Sequence, residues 1–509
     1  MSAALVESVH ELEPVLERLA RWKDAGHTHL VFSLLRSCTM RSKSHTVRCE
    51  VPSQARDALV LLKRRLLAVM RHLIGEAEIS DLQELIVTLP ESLGGMNFPV
   101  ESSFPYAASA LLSCAVWRER GVSLDVHSLE EATNAVRCGV DNLSLPPTDD
   151  ISLWTPTRLK GVSGRFAQRW HMDRAAGLVS MLLANKTPQN YVFLSRWIEG
   201  MSKLSGAWMG VMPNRIRAPL SNAVVVCGLR ARMMYSTFSN ASAKANCGCG
   251  AMLGREESLS TEVVVGTGVR FGPPGNEEAA AEDSLPEGKA RELVASRKAL
   301  ALAARDAVAI QAANSRLRSD GSHALRCLFA AAVRTDRHNS FCKNLQVGFQ
   351  RIGKVCQLEC LTGSGEKRED LTIPELGVHL DVVVGALDEV GDNNYPALDL
   401  GGGGRVETAP HEKAFVAWLA AAQRVAFGTL TRLAAEKRTH HAPAVVTPLA
   451  VSAGGGMFSE DDDRLPCGAD RNGRHWLRVE LSSTLLKYRT ALTWQLWKRR
   501  PNGVFVQAT

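Results

Sequence analysis

One short run constrains the fold more than any other part of the chain: His379-Leu-Asp-Val-Val-Val384. Its β-branched residues predict a buried strand. A carboxylate inside such a strand is expensive unless a cation pairs with it. Asp381, set among Leu380, Val382, Val383 and Val384, therefore needs a partner. Just upstream, Arg368-Glu-Asp-Leu-Thr-Ile373 reads as a second short strand, with Pro374-Glu-Leu-Gly377 as the turn between the two. Such a hairpin would bring Asp370 and Asp381 to one edge, as two hard oxygen ligands for Mg²⁺. A divalent ion held in this way activates water and stabilises a phosphodiester transition state. The structural alternative is that Asp381 lies at a sheet edge or pairs with an arginine.

Around this run the pattern is mostly helical. Leu12, Val15, Leu16 and Leu19 recur at helical spacing, as do Leu61, Leu62, Leu66, Leu67, Met70 and Leu73. The second stripe also carries Lys63, Arg64, Arg65, Arg71 and His72, a basic face suited either to solvent or to nucleic acid. Helices continue through residues 90–240, with loops at Leu145–Pro147 and Thr155–Pro156. Phe271–Gly288 has the composition of a flexible linker, and Ala290–Arg318 that of one long helix. Helix resumes over Glu412–Arg438, and a strand is expected around Val445–Val451.

With 509 residues, 45% hydrophobic and 22% charged, the chain is long enough for several cores and is neither disordered nor collagen-like. It contains no apolar window of membrane-spanning length, and its N-terminus, MSAALVESVHELEPVLERL, is acidic and amphipathic. The expectation is a protein that is neither secreted nor membrane-embedded, with its twelve cysteines as reduced thiols. The net charge of +7 points weakly to a polyanionic partner.

Three further groups carry candidate chemistry. His27, His29, Cys38, His45 and Cys49 lie close in sequence without a tight C-x-x-C pair, and read best as scattered structural residues. Cys247-Gly-Cys249 and the distant His323-Ala-Leu-Arg-Cys327 offer the thiolate and imidazole ligands that tetrahedral zinc prefers. Two surface cysteines and an unrelated helix account for that pattern equally well. Glu436-Lys-Arg-Thr-His-His441 closes a helix, where cations suit the C-terminal dipole. Lys437 is the residue of interest there, since a lysine near paired acids can orient an attacking water.

Several landmarks in order give a family resemblance. Leu89-Pro-Glu-Ser-Leu-Gly-Gly-Met96 with Tyr106-Ala-Ala-Ser-Ala-Leu-Leu-Ser113, Ser205-Gly-Ala-Trp-Met-Gly-Val-Met-Pro213, and the cysteine-histidine motif followed by Arg337-His-Asn339 resemble the part of non-LTR retrotransposon reverse transcriptases that follows the palm. Gly353–Glu359, Arg368–Leu371, Leu380–Val384, Glu436-Lys-Arg438 and Thr447–Gly455 resemble the restriction-like endonuclease that closes these proteins. The resemblance implies an α+β chain. It would comprise a thumb-like helical segment (1–88), a helical connector (89–240), a zinc knuckle with a linker and helix inserted (241–330), an α/β nuclease core of the PD-(D/E)xK type (331–456) and a C-terminal tail (457–509).

The same resemblance implies a nuclear, Mg²⁺-dependent, DNA-nicking enzyme. Asp370 and Asp381 would be the metal-binding acids, Glu359 an acid on the preceding helix, and Lys437 a lysine displaced to a later helix. Zn²⁺ would sit on Cys247, Cys249, His323 and Cys327. Lys63, Arg64, Arg65, Arg337 and His338 would touch nucleic acid, either target DNA or element RNA, and no membrane is expected as a partner. No Tyr-x-Asp-Asp occurs, so no polymerase activity is expected from this chain, and a polymerase partner or the upstream part of the same element is implied. The sequence also departs from the family. Val383 stands where the usual motif has its lysine, Glu369 where the family has proline, and 73 residues separate Cys249 from His323. These departures keep open a nucleic-acid-binding remnant whose catalytic site has decayed, as well as a helical protein whose motif matches are accidental.

Overall fold

The computed structural model describes residues 2–235 and 331–498, apart from 40–51, 99, 101–102, 124–127, 140–144, 185–187, 214–218, 362–367, 388–394, 399–407, 443–444, 459–464 and 466–470. The linker and long helix expected over residues 271–318 lie outside the described residues. So does the whole zinc motif of Cys247, Cys249, His323 and Cys327.

The described chain is α+β and mostly helical. Before the sheet come α1 (Ser2–His10), α2 (Glu13–Asp24), α3 (Thr28–Leu34), α4 (Pro52–Ile74), α5 (Asp81–Thr88), α6 (Ser103–Glu119), α7 (Leu129–Gly139), α8 (Pro156–Ala184), α9 (Pro188–Gly200), α10 (Asn222–Arg232) and α11 (Ala331–Arg351). Then follow β1 (Gln357–Leu361), β2 (Arg368–Ile373), β3 (Val378–Gly385), α12 (Thr408–Ala426), α13 (Gly428–His441), β4 (Thr447–Ser452) and α14 (Arg471–Lys498). Local chemistry marks several starts: Ser80 with Gln83, and Ser128 with Glu131, form reciprocal capping boxes at α5 and α7.

The two leucine stripes do what their spacing predicts. Leu16 and Leu19 of α2 and Leu62, Leu66 and Met70 of α4 are buried with Phe32, Trp208 and Leu229 in one core. A second core joins Trp197 and Ile198 of α9 to Phe415, Trp418 and Leu430 of α12 and α13. The helical half and the sheet region therefore share packed surface. The Gly-Gly pair of the first landmark has a steric reason. Gly94 turns at φ 74°, and a Cβ on Gly95 would lie 1.9 Å from the Leu89 carbonyl oxygen.

The sheet runs in the order β1-β2-β3-β4. The first three strands are antiparallel, while β3 and β4 are parallel and are joined through α12 and α13. Pro448 is tolerated in β4 because that strand is an edge. Alternate residues face opposite layers. Leu380, Val382, Leu449 and Val451 pack with Phe341 and Leu345 of α11 and Leu481 of α14, whereas Val383 and Ala450 pack towards α12 and α13. The segment expected as a C-terminal tail, residues 457–509, contains α14. This helix buries Leu477, Leu481 and Leu485 in the sheet's core. Among the described residues no single helix is long and apolar enough to cross a membrane. The one pair that passes jointly, within α12 and α13, bends by 53° and carries core residues.

His29 is a core residue of α3, its Nδ1 accepting the Leu220 N–H at 2.9 Å, as the structural reading of the early His/Cys group expects. Burial holds His29 and His171 at about 4, down from 6.5. Both stay neutral in the fold and protonate on unfolding, so their contribution is present above pH 6.5 and is lost as pH falls towards 4. Each contributes up to about 3 kcal/mol. Urea unfolding across this range should show stability falling with pH, and His29→Gln should make the decline shallower; an unchanged slope in the variant would contradict the assignment.

Candidate active site

The β2–β3 hairpin forms as its sequence suggests. Ile373 pairs with Val378, Thr372 with His379 and Leu371 with Leu380, and Gly377 closes the turn at φ 59°. One step further along the register, Asp370 meets Asp381. There the Asp370 side chain takes over from the backbone ladder, its Oδ2 accepting the Val382 N–H at 2.6 Å.

Asp381 is 1% exposed. Its Oδ1 accepts from Lys437 Nζ at 2.9 Å and its Oδ2 from His441 Nε2 at 2.8 Å. Lys437 and His441 are four residues apart and so share one face of α13. They supply the partner that a carboxylate in this strand requires. Asp370 Oδ1 lies 3.0 Å from His338 Nε2 on α11. One turn along the same helix, Cys342 Sγ is 3.7 Å from that nitrogen.

The two carboxyl groups are neighbours on adjacent strands, and each shifts the other's titration. Burial, then the Asp370 carboxyl beside it, raises Asp381 above the usual carboxylate range. Burial also acts to raise Asp370, but its hydrogen bonds to His338, Asp381 and the Val382 amide outweigh this and hold it below that range. The Cys342 thiol is pushed well up by burial, with Asp370, Asp381 and Glu359 adding to the effect. Two adjacent, largely buried acids thus share one site with a lysine and two histidines. Such a site can hold a proton or a cation between the acids. Among the described residues, His338, Cys342 and Asp370 form one potential metal-binding triad, their ligand atoms all within 4.8 Å of one another.

Of the residues singled out from sequence, Asp370, Asp381 and Lys437 converge. Glu359 requires a correction: it sits on β1, not on a helix. The flanking pairs, Leu358 with Leu371 and Cys360 with Glu369, leave it across the sheet from Asp370. Its backbone is left-handed at φ 53°, a strained conformation for glutamate. Arg337 is 2% exposed and donates from Nη2 to the Val384 carbonyl at 2.9 Å. Burial also lowers its guanidinium to about 10, and a side chain held inside the fold does not offer a surface contact to nucleic acid. His338 belongs to the acidic cluster instead. Lys63 and Arg65 are ion-paired with Glu84 and Glu13, while Arg64 is exposed. Pairing with acids is the ordinary fate of a basic helix face in solvent. Glu369, in place of the family's proline, is a buried acid bonded to His379 Nδ1 at 2.7 Å and to Thr372 Oγ1.

Sequence reasoning missed Cys342 and His441 as members of the cluster, and gave His338 a different role. His338 and Cys342 carried a usable signal, because donors four residues apart on a helix converge on one point. No protein-family model matches the chain, and no curated protein matches it.

The His441–Asp381 bond should be measurable as a coupling. In a double-mutant cycle of Asp381→Asn and His441→Phe, followed by denaturant unfolding, the coupling energy should be about 0.5–3 kcal/mol. Strictly additive losses would mean that the two groups do not interact.

Proposed function

We propose that this chain hydrolyses DNA phosphodiesters as a Mg²⁺-dependent nicking endonuclease, and that it is the C-terminal part of a non-LTR retrotransposon reverse transcriptase protein, acting in the nucleus without a polymerase site of its own. One observation carries the reading: Asp370 from β2, Asp381 from β3 and Lys437 from α13 converge although 67 positions separate Asp370 from Lys437. A mixed sheet between helical layers, with the acids where two antiparallel strands part, suits a restriction-like nuclease core.

The donor set fits a hard divalent cation. Two neighbouring carboxyl groups, one of them 1% exposed, repel each other unless a proton or metal lies between them. Asp370 and Asp381 would hold Mg²⁺, which when bound lowers the pKa of water and offsets negative charge on the phosphate. The protein's own groups do the rest. Lys437, about one-third exposed and fixed by Asp381, donates hydrogen bonds to the attacking water or to a phosphate oxygen. His441, 1% exposed, positions Asp381 from its other oxygen. DNA would be gripped largely through phosphates, to which the basic last turn of α13, with Arg438 and His440, could contribute. The zinc knuckle of Cys247, Cys249, His323 and Cys327 is proposed on sequence alone.

A second reading, a nucleic-acid-binding remnant without catalysis, draws on one fact. All four carboxylate oxygens of Asp370 and Asp381 already have protein partners.

Supercoiled plasmid distinguishes the two readings. The purified chain should nick it with Mg²⁺ and not with a chelator. Asp370→Ala and Asp381→Ala should abolish nicking, and Lys437→Ala should slow it on the order of 10²–10⁴-fold. A wild-type chain that does not nick supports the remnant; variants that nick like wild type reject the site.

A further inference from the structure

The cluster contains donors that Mg²⁺ does not use. His338 and Cys342 stand one turn apart on α11 and meet Asp370 from β2, with Nε2–Oδ1 3.0 Å and Sγ–Nε2 3.7 Å. Tetrahedral zinc, with bonds of about 2.0–2.1 Å to nitrogen or oxygen and about 2.3 Å to sulfur, needs ligand atoms about 3.3–3.6 Å apart. These two separations are within a few tenths of an ångström of that, and the third, Sγ–Oδ1, lies within 4.8 Å, so side-chain rotation has to close the triad by no more than about an ångström. The chemistry selects the metal class, since imidazole and thiolate suit Zn²⁺ and its neighbours while Mg²⁺ prefers oxygen alone.

The surroundings are those of a built site. Cys342 is buried, and Asp370 Oδ2 is anchored by the Val382 N–H, which orients the carboxylate while leaving Oδ1 to act as ligand. A thiol ligand gives up its proton when it binds metal, so affinity should rise with pH.

We propose that His338 Nε2, Cys342 Sγ and Asp370 Oδ1 form a transition-metal site of the Zn²⁺ class, and that filling it withdraws Asp370 from the Asp370–Asp381 pair and stops hydrolysis. The inhibitory half rests on the endonuclease reading; the binding half stands without it.

Co²⁺ serves as the probe, added to the full-length chain after its metal has been stripped. Thiolate coordination gives an intense sulfur-to-cobalt absorption band, and the cysteine motif near residue 247 can contribute one of its own. The comparison is therefore between wild type and two variants, Cys342→Ser and the half-buried His338→Gln, each checked for an unaltered unfolding midpoint. Each should bind one fewer Co²⁺ tightly, with the affinity of that site down by at least about tenfold. Cys342→Ser should also lose part of the sulfur band. Variants with wild-type stoichiometry and spectra would overturn the proposal and leave a hydrogen-bonded cluster. Asp381→Ala separates the two readings, because it should lose nicking and keep the Cys342-dependent band. In the nicking assay, Zn²⁺ should inhibit wild type at a concentration at least about tenfold lower than it inhibits Cys342→Ser. Equal sensitivity would overturn the inhibitory half.

Discussion

The sheet region is organised around a carboxylate that has no business in a buried strand by itself. Asp381 is 1% exposed, and the cost of burying its charge is met by Lys437 and His441. Both come from α13, the second helix of the connection that carries the chain from β3 to its parallel neighbour β4. The ion pair therefore ties the crossover to the strand it leaves. A buried charge pair seldom adds much stability over an apolar replacement. Its consequence here is placement, since it holds a lysine beside two acids.

A second polar knot joins the sheet to the helical half. Glu199 of α9 accepts from Ser452 Oγ, from the Gly454 N–H at 3.1 Å and from Arg196 Nη1 at 3.1 Å. Arg232 reaches the Gly95 carbonyl at 3.0 Å and Ser205 Oγ at 3.2 Å. A Cβ on Gly455 would lie 2.8 Å from Ser205 Cα. Three of the sequence landmarks, around residues 89–96, 205–213 and 447–455, thus meet in space, and their glycines mark close approaches of backbone. The sheet region is built onto the helical half through this contact.

The hairpin was legible in the sequence because β-branched residues, a Pro–Gly turn and an isolated acid leave few alternatives over residues 368–384. The need of Asp381 for a cation was legible too, on electrostatic grounds alone. Its second partner, His441, was not, because a helix end already explains basic residues through the dipole. Position on β1 was also hidden for Glu359, whose left-handed φ of 53° is imposed by tertiary structure that no local pattern announces. Arg337 illustrates the opposite error. The family resemblance implied a nucleic-acid contact for it, yet a long side chain can equally be buried against a strand-end carbonyl, as it is at Val384.

The central claim is that Asp370 and Asp381 together hold a divalent ion. A crystal of the wild-type chain soaked in Mn²⁺, standing in for Mg²⁺, tests this most directly through the metal's anomalous scattering. The account predicts a peak in bonding contact with oxygens of both carboxylates, lost in a crystal of Asp381→Ala. Ordered carboxylates with no peak between them, and their oxygens still held by Lys437, His441, His338 and the Val382 amide, would contradict it.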